Sequence, residues 1–327
     1  MATIRSRSGT WQARVRRMGF PEESKSFTTK AEAQAWARGV ETAMDKGTHQ
    51  PYQEARHLLL KDVLLRYKAE VTPTKRGAKR EGESIDFMTR QKFTGHSMST
   101  LTSTVVAGYR DERLKTVSAG TIIRELSILS GAISHARREW GVPTPNPCAL
   151  VRKPTTPQGR TRLLTADEES RLLDELRPVK RRSPLMIPLV VLALETAMRR
   201  GELLAMQWEN IDLDSQTVIM PLTKNGTARI VPLSRKAVAT LRELQTSTNG
   251  PVFPISFMTM NNCFVHACKR AGIIGLRFHD LRHTATTQLA TKLPNVIELA
   301  AVTGHQTIQM LKRYYHPKAE VLAQKLG

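Results

Sequence analysis

Cysteine is scarce in this chain. The 327 residues include three cysteines, Cys148, Cys263 and Cys268, and so small and odd a number argues against a disulfide framework. We therefore expect a reducing compartment, the cytoplasm. Cys263 and Cys268 lie near His266 in a predicted helix, but the ligand set of a structural metal is incomplete there. The sequence predicts packing at this position and no metal site.

Long apolar runs are missing as well. The longest one, 185–194, is interrupted by Pro188 and is shorter than the ~20 residues that a membrane-spanning helix needs. The first five residues lack the apolar core of a signal peptide. We therefore predict neither a membrane span nor export.

Acidic residues are few relative to basic ones. Lys and Arg number 50 and Asp and Glu number 29, which gives a formal charge of +21. Such an excess favours an extended polyanion, by default nucleic acid, over a small acidic substrate. The basic residues also cluster, since seven lie in the first thirty residues against Glu22 and Glu23. A protein that is merely basic would scatter them.

Stretches rich in helix and strand breakers divide the chain into three zones. We predict a small sheet-and-helix domain at 1–50, a helical domain at 56–150, a linker at 151–162 and an α+β domain at 163–327. The expected fold class is multidomain and mainly α with small β elements.

The first zone carries a basic pattern. Residues 10–17 and 24–28 are predicted strands, and 30–46 is a predicted helix. Because Arg14 and Arg16 alternate with apolar residues, a strand places both cations on one face, from which they could enter a DNA groove. A charged face turned to solvent explains this segment equally well.

The second zone is predicted to be helical, because its apolar residues recur with the period of an amphipathic helix. The clearest stripes are Leu60, Val63, Leu64 and Tyr67, and then Ile122, Leu126, Leu129 and Ile133. The segment 72–80 is too polar and broken to pack. We predict a mobile loop there that contacts DNA phosphates through four cations, Lys75, Arg76, Lys79 and Arg80. The Pro-rich stretch 143–162 adds Arg160 and Arg162 as candidate DNA contacts.

The third zone begins with a helix start signal and a candidate phosphate-binding arginine. Thr165 and Glu168 form a capping box. After a buried helix at 184–196, Arg199 lies at the start of a short helix, where its guanidinium could bind a phosphate with two hydrogen bonds. Glu202 lies three residues on and could hold it. A purely structural Arg–Glu pair is the alternative interpretation of these two residues.

A predicted hairpin carries the next candidate. Residues 218–221 and 229–232 are predicted strands, and 222–226 contains an Asn-Gly turn signal. Lys224 lies near the tip and could deliver a proton to a leaving oxygen. Most hairpin lysines are only solvated, so this residue carries little weight alone.

Three further residues complete a set suited to phosphoryl transfer, which needs cations, a proton donor and a nucleophile. His279 and Arg282 lie one helical turn apart and can address one phosphate. His305 precedes Tyr314 by nine residues. His279 and His283 have the spacing of zinc ligands, but the sequence shows no third ligand.

These motifs together resemble the tyrosine recombinase family of phage integrases. The resemblance covers about 160–318 and rests on the segments 196–208, 223–226, 279–283, 303–305 and 313–317. More loosely, 56–150 resembles the family's core-binding domain and 1–50 its arm-type DNA-binding domain. The tracts 139–154 and 194–199 resemble shufflon-type DNA invertases.

The resemblance implies a reaction at a double-stranded DNA recombination site, without metal or any other cofactor. It implies that Tyr314 attacks the scissile phosphate to give a 3′-phosphotyrosine, while Arg199 and Arg282 hold the non-bridging oxygens. Lys224 would protonate the leaving 5′-oxygen. Of the remaining residues, His279 would assist proton movement, His305 would hydrogen-bond the phosphate and Glu202 would orient the site. The surrounding cations are expected to favour the phenolate of Tyr314.

The resemblance also implies an assembly. We expect four protomers on two DNA sites, a possible DNA-bending accessory protein, and a C-terminal helix at 318–327 that docks on a neighbouring protomer or caps its own domain. Tyr315 is a rival nucleophile, which the motif register disfavours.

Other classes remain open from the sequence. A non-catalytic DNA-binding regulator would not need the whole residue set. A type IB topoisomerase or a telomere-resolving enzyme would not need the arm-like N-terminal module. Integration, excision and inversion are not distinguished.

Overall fold

The protein consists mainly of helices with two small sheets, as the sequence predicts. The structure, a computed structural model, describes residues 2–7, 9–20, 22–45, 57–156, 159–179, 183–221, 228–245, 247–314, 323–324 and 326. The chain forms two compact units, Met1–Gln158 and Gly159–Gly327. Within the described ranges, no helix is both long enough and apolar enough to cross a bilayer.

The first unit begins with a three-stranded antiparallel sheet. Its strands are β1 (Ala2–Arg7), β2 (Thr10–Val15) and β3 (Glu23–Phe27), and the helix α1 (Lys30–Asp45) packs against it. Ala13 and Val15 are buried and Arg14 is exposed, so the predicted alternation is correct. The sequence pattern does not identify β1, which pairs along its whole length with β2.

Among the described residues of the first unit, four α-helices follow the sheet and α1. They are α2 (Leu60–Glu70), α3 (Ala78–Thr89), α4 (Ser103–Leu114) and α5 (Ala119–Glu139). Every residue of the two predicted apolar stripes is buried, and these residues belong to one core. The sheet and α1 bury a separate apolar cluster. The amphipathic period therefore identified the inward faces correctly.

The prediction of a mobile loop at 72–80 is wrong. Thr72–Thr74 forms a 3₁₀ helix, and α3 begins at Ala78. Lys75 Nζ donates to Glu81 Oε1 and to Tyr67 Oη, each at 2.7 Å. The ion pair and the tyrosine give Lys75 local partners, so this polar segment folds.

Part of the Pro-rich stretch also packs. Pro147–Leu150 forms a 3₁₀ helix, and the side chains of Cys148 and Val151 are buried in the core of the bundle. Asn146 Nδ2 donates to the hydroxyl groups of Ser130 and Ser134, at 2.9 and 2.8 Å. Val151, the first residue of the predicted linker, is therefore part of the helical core.

The second unit packs its helices around one almost fully apolar helix. Its helices are α6 (Ala166–Leu176), α7 (Met186–Thr196), α8 (Arg200–Leu204), α9 (Arg235–Leu244), α10 (Phe257–Arg270), α11 (Phe278–Lys292), α12 (Val296–Thr303) and α13 (Ile308–Leu311). Helix α7 lies at the centre, with Leu189, Val190 and Leu192 fully buried. The predicted capping box of Thr165 and Glu168 is present at the start of α6.

The sheet of the second unit is antiparallel and small. It contains β4 (Ile211–Asp212), β5 (Thr217–Met220) and β6 (Arg229–Pro232), with Val218 paired to Val231. Two of these strands match the predicted hairpin. The segment 222–227 between them, which includes Lys224, lies outside the described residues.

Candidate active site

Arg199 is fixed at the point where α7 ends. Ala197 caps α7 in the left-handed region, with φ 51° and ψ 22°, and Arg199 is extended before α8 begins. The backbone N–H of Arg199 donates to Glu202 Oε2 at 2.8 Å, and its Nη1 donates to Oε1 at 2.9 Å. Nη2 donates to the carbonyl oxygen of Gly304 at 2.8 Å. The predicted pairing of Arg199 with Glu202 is present and orients the guanidinium.

Glu202 also holds a second arginine, Arg229. Arg229 Nη2 donates to Glu202 Oε2 at 2.8 Å, and its Nη1 donates to the carbonyl oxygen of Val302 at 2.6 Å. Burial alone would raise the pKa of Glu202, but hydrogen bonds from Arg199 and Arg229 lower it. Glu202 is therefore a buried carboxylate between two guanidinium groups.

The sequence pattern does not single out Arg229 as a site residue. The alternation of a strand could nonetheless have indicated that Arg229 faces inward. Arg229 and the buried Val231 lie two residues apart and so share one face of β6. An inward-facing arginine needs an acceptor, and Glu202 is that acceptor.

Arg282 is a buried cation. Only 5% of its surface is exposed. Its guanidinium donates to the carbonyl oxygens of Ala197 and Thr303, the latter at 2.7 Å, and Nη2 lies 3.4 Å from His305 Nε2. Burial, followed by the charge of Arg199, lowers the pKa of Arg282 to about 10. It remains charged at neutral pH and is held mainly by neutral acceptors, which leaves positive charge for an anion.

The tautomer of His305 follows from its neighbours. The hydroxyl of Thr303 donates to the carbonyl oxygen of Leu299 at 2.6 Å, so its oxygen accepts from His305 Nδ1 at 2.6 Å. Nε2 then carries the lone pair that faces Arg282. Burial and the nearby Arg282 and Arg199 lower the pKa of His305 to about 4. The ring is neutral at neutral pH.

Tyr314 ends the 3₁₀ helix Lys312–Tyr314 that follows α13. Its hydroxyl forms a hydrogen bond with His283 Nδ1, and the two rings lie 5.8 Å apart and nearly parallel, at 28°. The His305 ring is 6.2 Å away. The guanidinium of Arg313 lies 5.5 Å from the centre of the tyrosine ring. The phenol and the cation–histidine cluster thus share one site.

The cations near the phenol of Tyr314 act on its pKa in the expected direction, but burial outweighs them. Burial raises the pKa of Tyr314, and the opposing effects of Arg313 and Arg282 are smaller. The hydroxyl is therefore protonated at neutral pH. Tyr315 lies outside the described residues.

His279 lies one turn before Arg282 on α11, as predicted. Its ring is exposed, and its centre is 5.2 Å from the ring of His283 at 79°. Desolvation and the charge of Arg282 lower the pKa of His279. Among the described residues, no group of three His, Cys, Asp or Glu side chains is arranged to hold a metal ion.

Two predicted DNA contacts form ion pairs within the second unit. Arg160 Nη2 donates to Asp280 Oδ2 at 2.9 Å, and Arg162 pairs with Glu168. The side chain of Asp280 is only 2% exposed, whereas that of Arg160 is 39% exposed. Arg160 therefore compensates a buried carboxylate beside His279, which gives it a structural role whether or not it meets DNA.

The other predicted DNA contacts lie on the surface of the first unit. Arg14 and Arg16 are exposed beside a groove of about 460 Å³ on the sheet face, and both pair with Glu22. Lys79 and Arg80 are exposed in the first turn of α3, and Arg76 is exposed just before it.

Comparison with known proteins places this architecture among integrases. Residues 162–320 match the model of the phage integrase family. A shufflon-specific DNA recombinase of Escherichia coli is 38% identical over 285 residues, which cover 84% of this chain and 73% of that protein.

Two solved structures share the fold. The Tn1549 transposon integrase in complex with circular intermediate DNA superposes with a TM-score of 0.68 at 16% identity, over 83% of this chain and 99% of that one. A lambda integrase tetramer bound to a Holliday junction superposes with a TM-score of 0.65 at 22% identity, over 96% of this chain and 94% of that one.

Proposed function

This chain belongs to the phage integrase family of tyrosine-type, site-specific DNA recombinases, and on that premise we propose that Tyr314 is the nucleophile that cleaves and rejoins DNA. One observation supports this role above the others. The hydroxyl of Tyr314 lies beside His283 and His305, and His305 contacts the buried cation Arg282. A phosphodiester bound by Arg282 would therefore meet the phenol.

The proposed reaction conserves the energy of the bond that is broken. The Tyr314 oxygen attacks the phosphorus, the bond to the 5′-oxygen breaks, and a 3′-phosphotyrosine remains. Lys224 donates the proton that the leaving 5′-oxygen takes up. Religation is the same step in reverse, with the 5′-hydroxyl as the nucleophile, and it needs neither a nucleotide nor another cofactor.

Preorganised charge is the main catalytic resource of the site. Glu202 and the carbonyl of Gly304 fix Arg199, and two carbonyls and His305 fix Arg282. Donors held in this way need no reorganisation as charge develops on the non-bridging oxygens. His279 lies one helical turn before Arg282 and His305 contacts it, and we assign them proton movement and phosphate binding.

DNA binding by the first unit is the second part of the proposal. The arginines on the sheet face and the exposed cations of α3 supply sequence-independent phosphate contacts. We assign an arm-type domain to 1–50, a core-binding domain to 56–150 with Val151 added from its core, a linker to 152–162 and the catalytic domain to 163–327. The separate apolar clusters of the sheet and the bundle support the first division.

The proposed assembly is a homotetramer on two DNA sites. The lambda integrase neighbour, which is a tetramer on a Holliday junction, supports it. The tail 318–327, most of which lies outside the described residues, would dock on the next protomer. Its deletion should reduce two-site complexes in native gels more than single-site binding, and unchanged assembly would refute the docking role.

The chemistry is tested with a nicked suicide substrate from the chain's own locus, without added metal, by denaturing electrophoresis and peptide mapping. We expect a covalent adduct at Tyr314, which Tyr314→Phe abolishes while DNA binding persists. Tyr315→Phe is the matched control and should still form the adduct. The reverse pattern would make Tyr315 the nucleophile.

The shufflon-specific relative favours DNA inversion as the outcome. A plasmid with two inverted copies of the mapped site should yield inverted product. Relaxation of supercoils without site preference would indicate topoisomerase chemistry instead.

A further inference from the structure

The hydrogen-bond partner of Tyr314 is His283, which lies in the segment 279–283 but to which the family resemblance assigns no role. His283 follows Arg282 on α11 and directs Nδ1 to the tyrosine hydroxyl. The two ring planes differ by only 28°, and the ring centres lie 5.8 Å apart. The chain brings this pair together from positions 31 residues apart.

The protonation states of both groups allow the phenol to donate in this hydrogen bond. Burial, then the charges of His279 and Arg313, lower the pKa of His283 to about 4. The ring is therefore neutral at neutral pH, while Tyr314 keeps its proton. A neutral ring with its proton on Nε2 accepts the phenolic hydrogen at Nδ1, and this is the tautomer that transfer of a proton from the phenol requires.

The other histidines of the site are turned elsewhere. His305 Nδ1 bonds to Thr303, and its Nε2 faces Arg282. His279 meets the edge of the His283 ring. Among the described histidines, His283 is the one with a hydrogen bond to the phenol.

We propose that His283 is the proton acceptor for Tyr314 in the cleavage step, an inference that rests on the proposed role of Tyr314. As the bond between the tyrosine oxygen and phosphorus forms, the phenolic proton passes to His283 Nδ1. The bond from phosphorus to the 5′-oxygen breaks, and that oxygen takes its proton from Lys224. On religation, Lys224 recovers its proton from the 5′-hydroxyl, and His283 returns its proton to the departing tyrosine.

The surroundings of His283 set when this transfer occurs. Its own helix presents His279, Asp280 and Arg282, the C-terminal segment presents Arg313 and Tyr314, and the turn after α12 presents His305. Asp280 is the one carboxylate among them, and Arg160 neutralises it. Before DNA is attacked, His283 is a weak base and Tyr314 is a protonated phenol, so the proton stays on Tyr314. The proton moves as attack on phosphorus makes the phenol acidic.

The test is single-turnover cleavage of the suicide substrate by the full-length chain. His283→Ala and His283→Gln should slow adduct formation by roughly 10²- to 10⁴-fold, with DNA affinity unchanged. Imidazole added to His283→Ala should restore part of the rate. Relative to the wild type, the rate of the variant should rise about tenfold per pH unit between about pH 6 and 9, as hydroxide replaces the missing base.

A substrate with sulfur in place of the bridging 5′-oxygen separates this role from that of Lys224. Its leaving group needs no proton, so it should restore cleavage by Lys224→Ala but not by His283→Ala. Rescue of both variants would place His283 on the leaving-group side and overturn the proposal. Wild-type rate and pH profile in a folded His283→Gln variant would do the same.

The control variant is His266→Ala, which removes an exposed histidine of α10 and should cleave at the wild-type rate. The wild-type adduct and its loss in Tyr314→Phe test the proposed function separately. If the wild type forms no adduct, the function is refuted. If only the His283 variants behave as wild type, the present inference alone is refuted.

Discussion

Arg229 lies against the α-carbon of Gly304 so closely that a Cβ at position 304 would come within 3.0 Å of the guanidinium carbon. Gly304 also ends α12 with φ +67°, in the left-handed region. Its carbonyl accepts a hydrogen bond from Arg199. One glycine therefore permits the close approach of one arginine and orients another.

Gly304→Ala should destabilise the protein by about 2–3 kcal/mol, because strain at a positive φ adds to the displacement of Arg229. Gly250→Ala is the matched control. Gly250 has φ +89°, and no atom of the described residues lies within 4 Å of the position that a Cβ would take there, so only the strain of about 1 kcal/mol applies. Guanidinium denaturation measures the unfolding free energy of both variants. Equal losses in the two would show that the contact with Arg229 is unimportant. Cleavage should fall only for Gly304→Ala.

Glu202→Gln should cost about 3 kcal/mol, since it leaves two guanidinium groups without their shared charge. The side chains of Glu202 and Arg229 are only 6% and 12% exposed. Trp208 lies six residues after Glu202 and is the tryptophan of the second unit. When the other three tryptophans are replaced by Phe, its fluorescence reports the unfolding of this unit. Asp214→Asn removes an exposed partner of Arg242 and should leave stability unchanged. A comparable loss of unfolding free energy in both variants would contradict the role of Glu202 as the shared partner of Arg199 and Arg229.

The free energy of unfolding should fall as the pH is lowered from about 6.5 toward 4. The folded protein lowers the pKa of His283 and His305 to about 4, so protonation favours the unfolded chain, in which these groups titrate near 6.5. After allowance for solvent screening, the loss by pH 5 is about 1–2 kcal/mol per histidine. Denaturation curves at pH 7 and pH 5 measure it. In the double variant His283→Gln/His305→Gln the difference should shrink, and an unchanged difference would place its origin elsewhere.

Lys75 should contribute little to DNA binding, unlike its neighbours on α3. Lys79→Ala or Arg80→Ala should each reduce the slope of log affinity against log salt by about 0.9, the value of one phosphate contact. Lys75→Ala should leave the slope unchanged, because Lys75 bonds to Glu81 and Tyr67. Filter binding at several salt concentrations measures the slopes. A change with Lys75→Ala alone would reverse this assignment.

Local periodicity predicted much of the fold. The sequence predicts the buried faces of α2 and α5 and the capping box of Thr165. These features depend on residues that lie within a few helical turns of one another. The sequence does not predict that 72–80 is folded, because its folding depends on the hydrogen bonds of Lys75 to Glu81 and Tyr67. The short strand β1 has a weak pattern, and its pairing with β2 determines it.

Residue order indicated the members of the candidate site but not their contacts. The pairing of Arg199 with Glu202 spans three residues and follows from helix geometry. Arg229 reaches Glu202 across 27 residues, and His283 reaches Tyr314 across 31, so only the folded chain reveals them. The raised pKa of Tyr314 also depends on the folded chain, because the sequence indicates the nearby cations but not the burial that outweighs them.

All described members of the candidate site lie within Gly159–Gly327, whereas the arginine-lined sheet face lies within Met1–Gln158. Under the proposed function, the reacting residues and the DNA contacts of the sheet face are thus encoded in separate stretches of the gene. A crossover between related genes near codon 158 would then join a different set of phosphate contacts to an intact candidate site. Exchange of this kind would let one candidate reaction centre act with different DNA-binding modules.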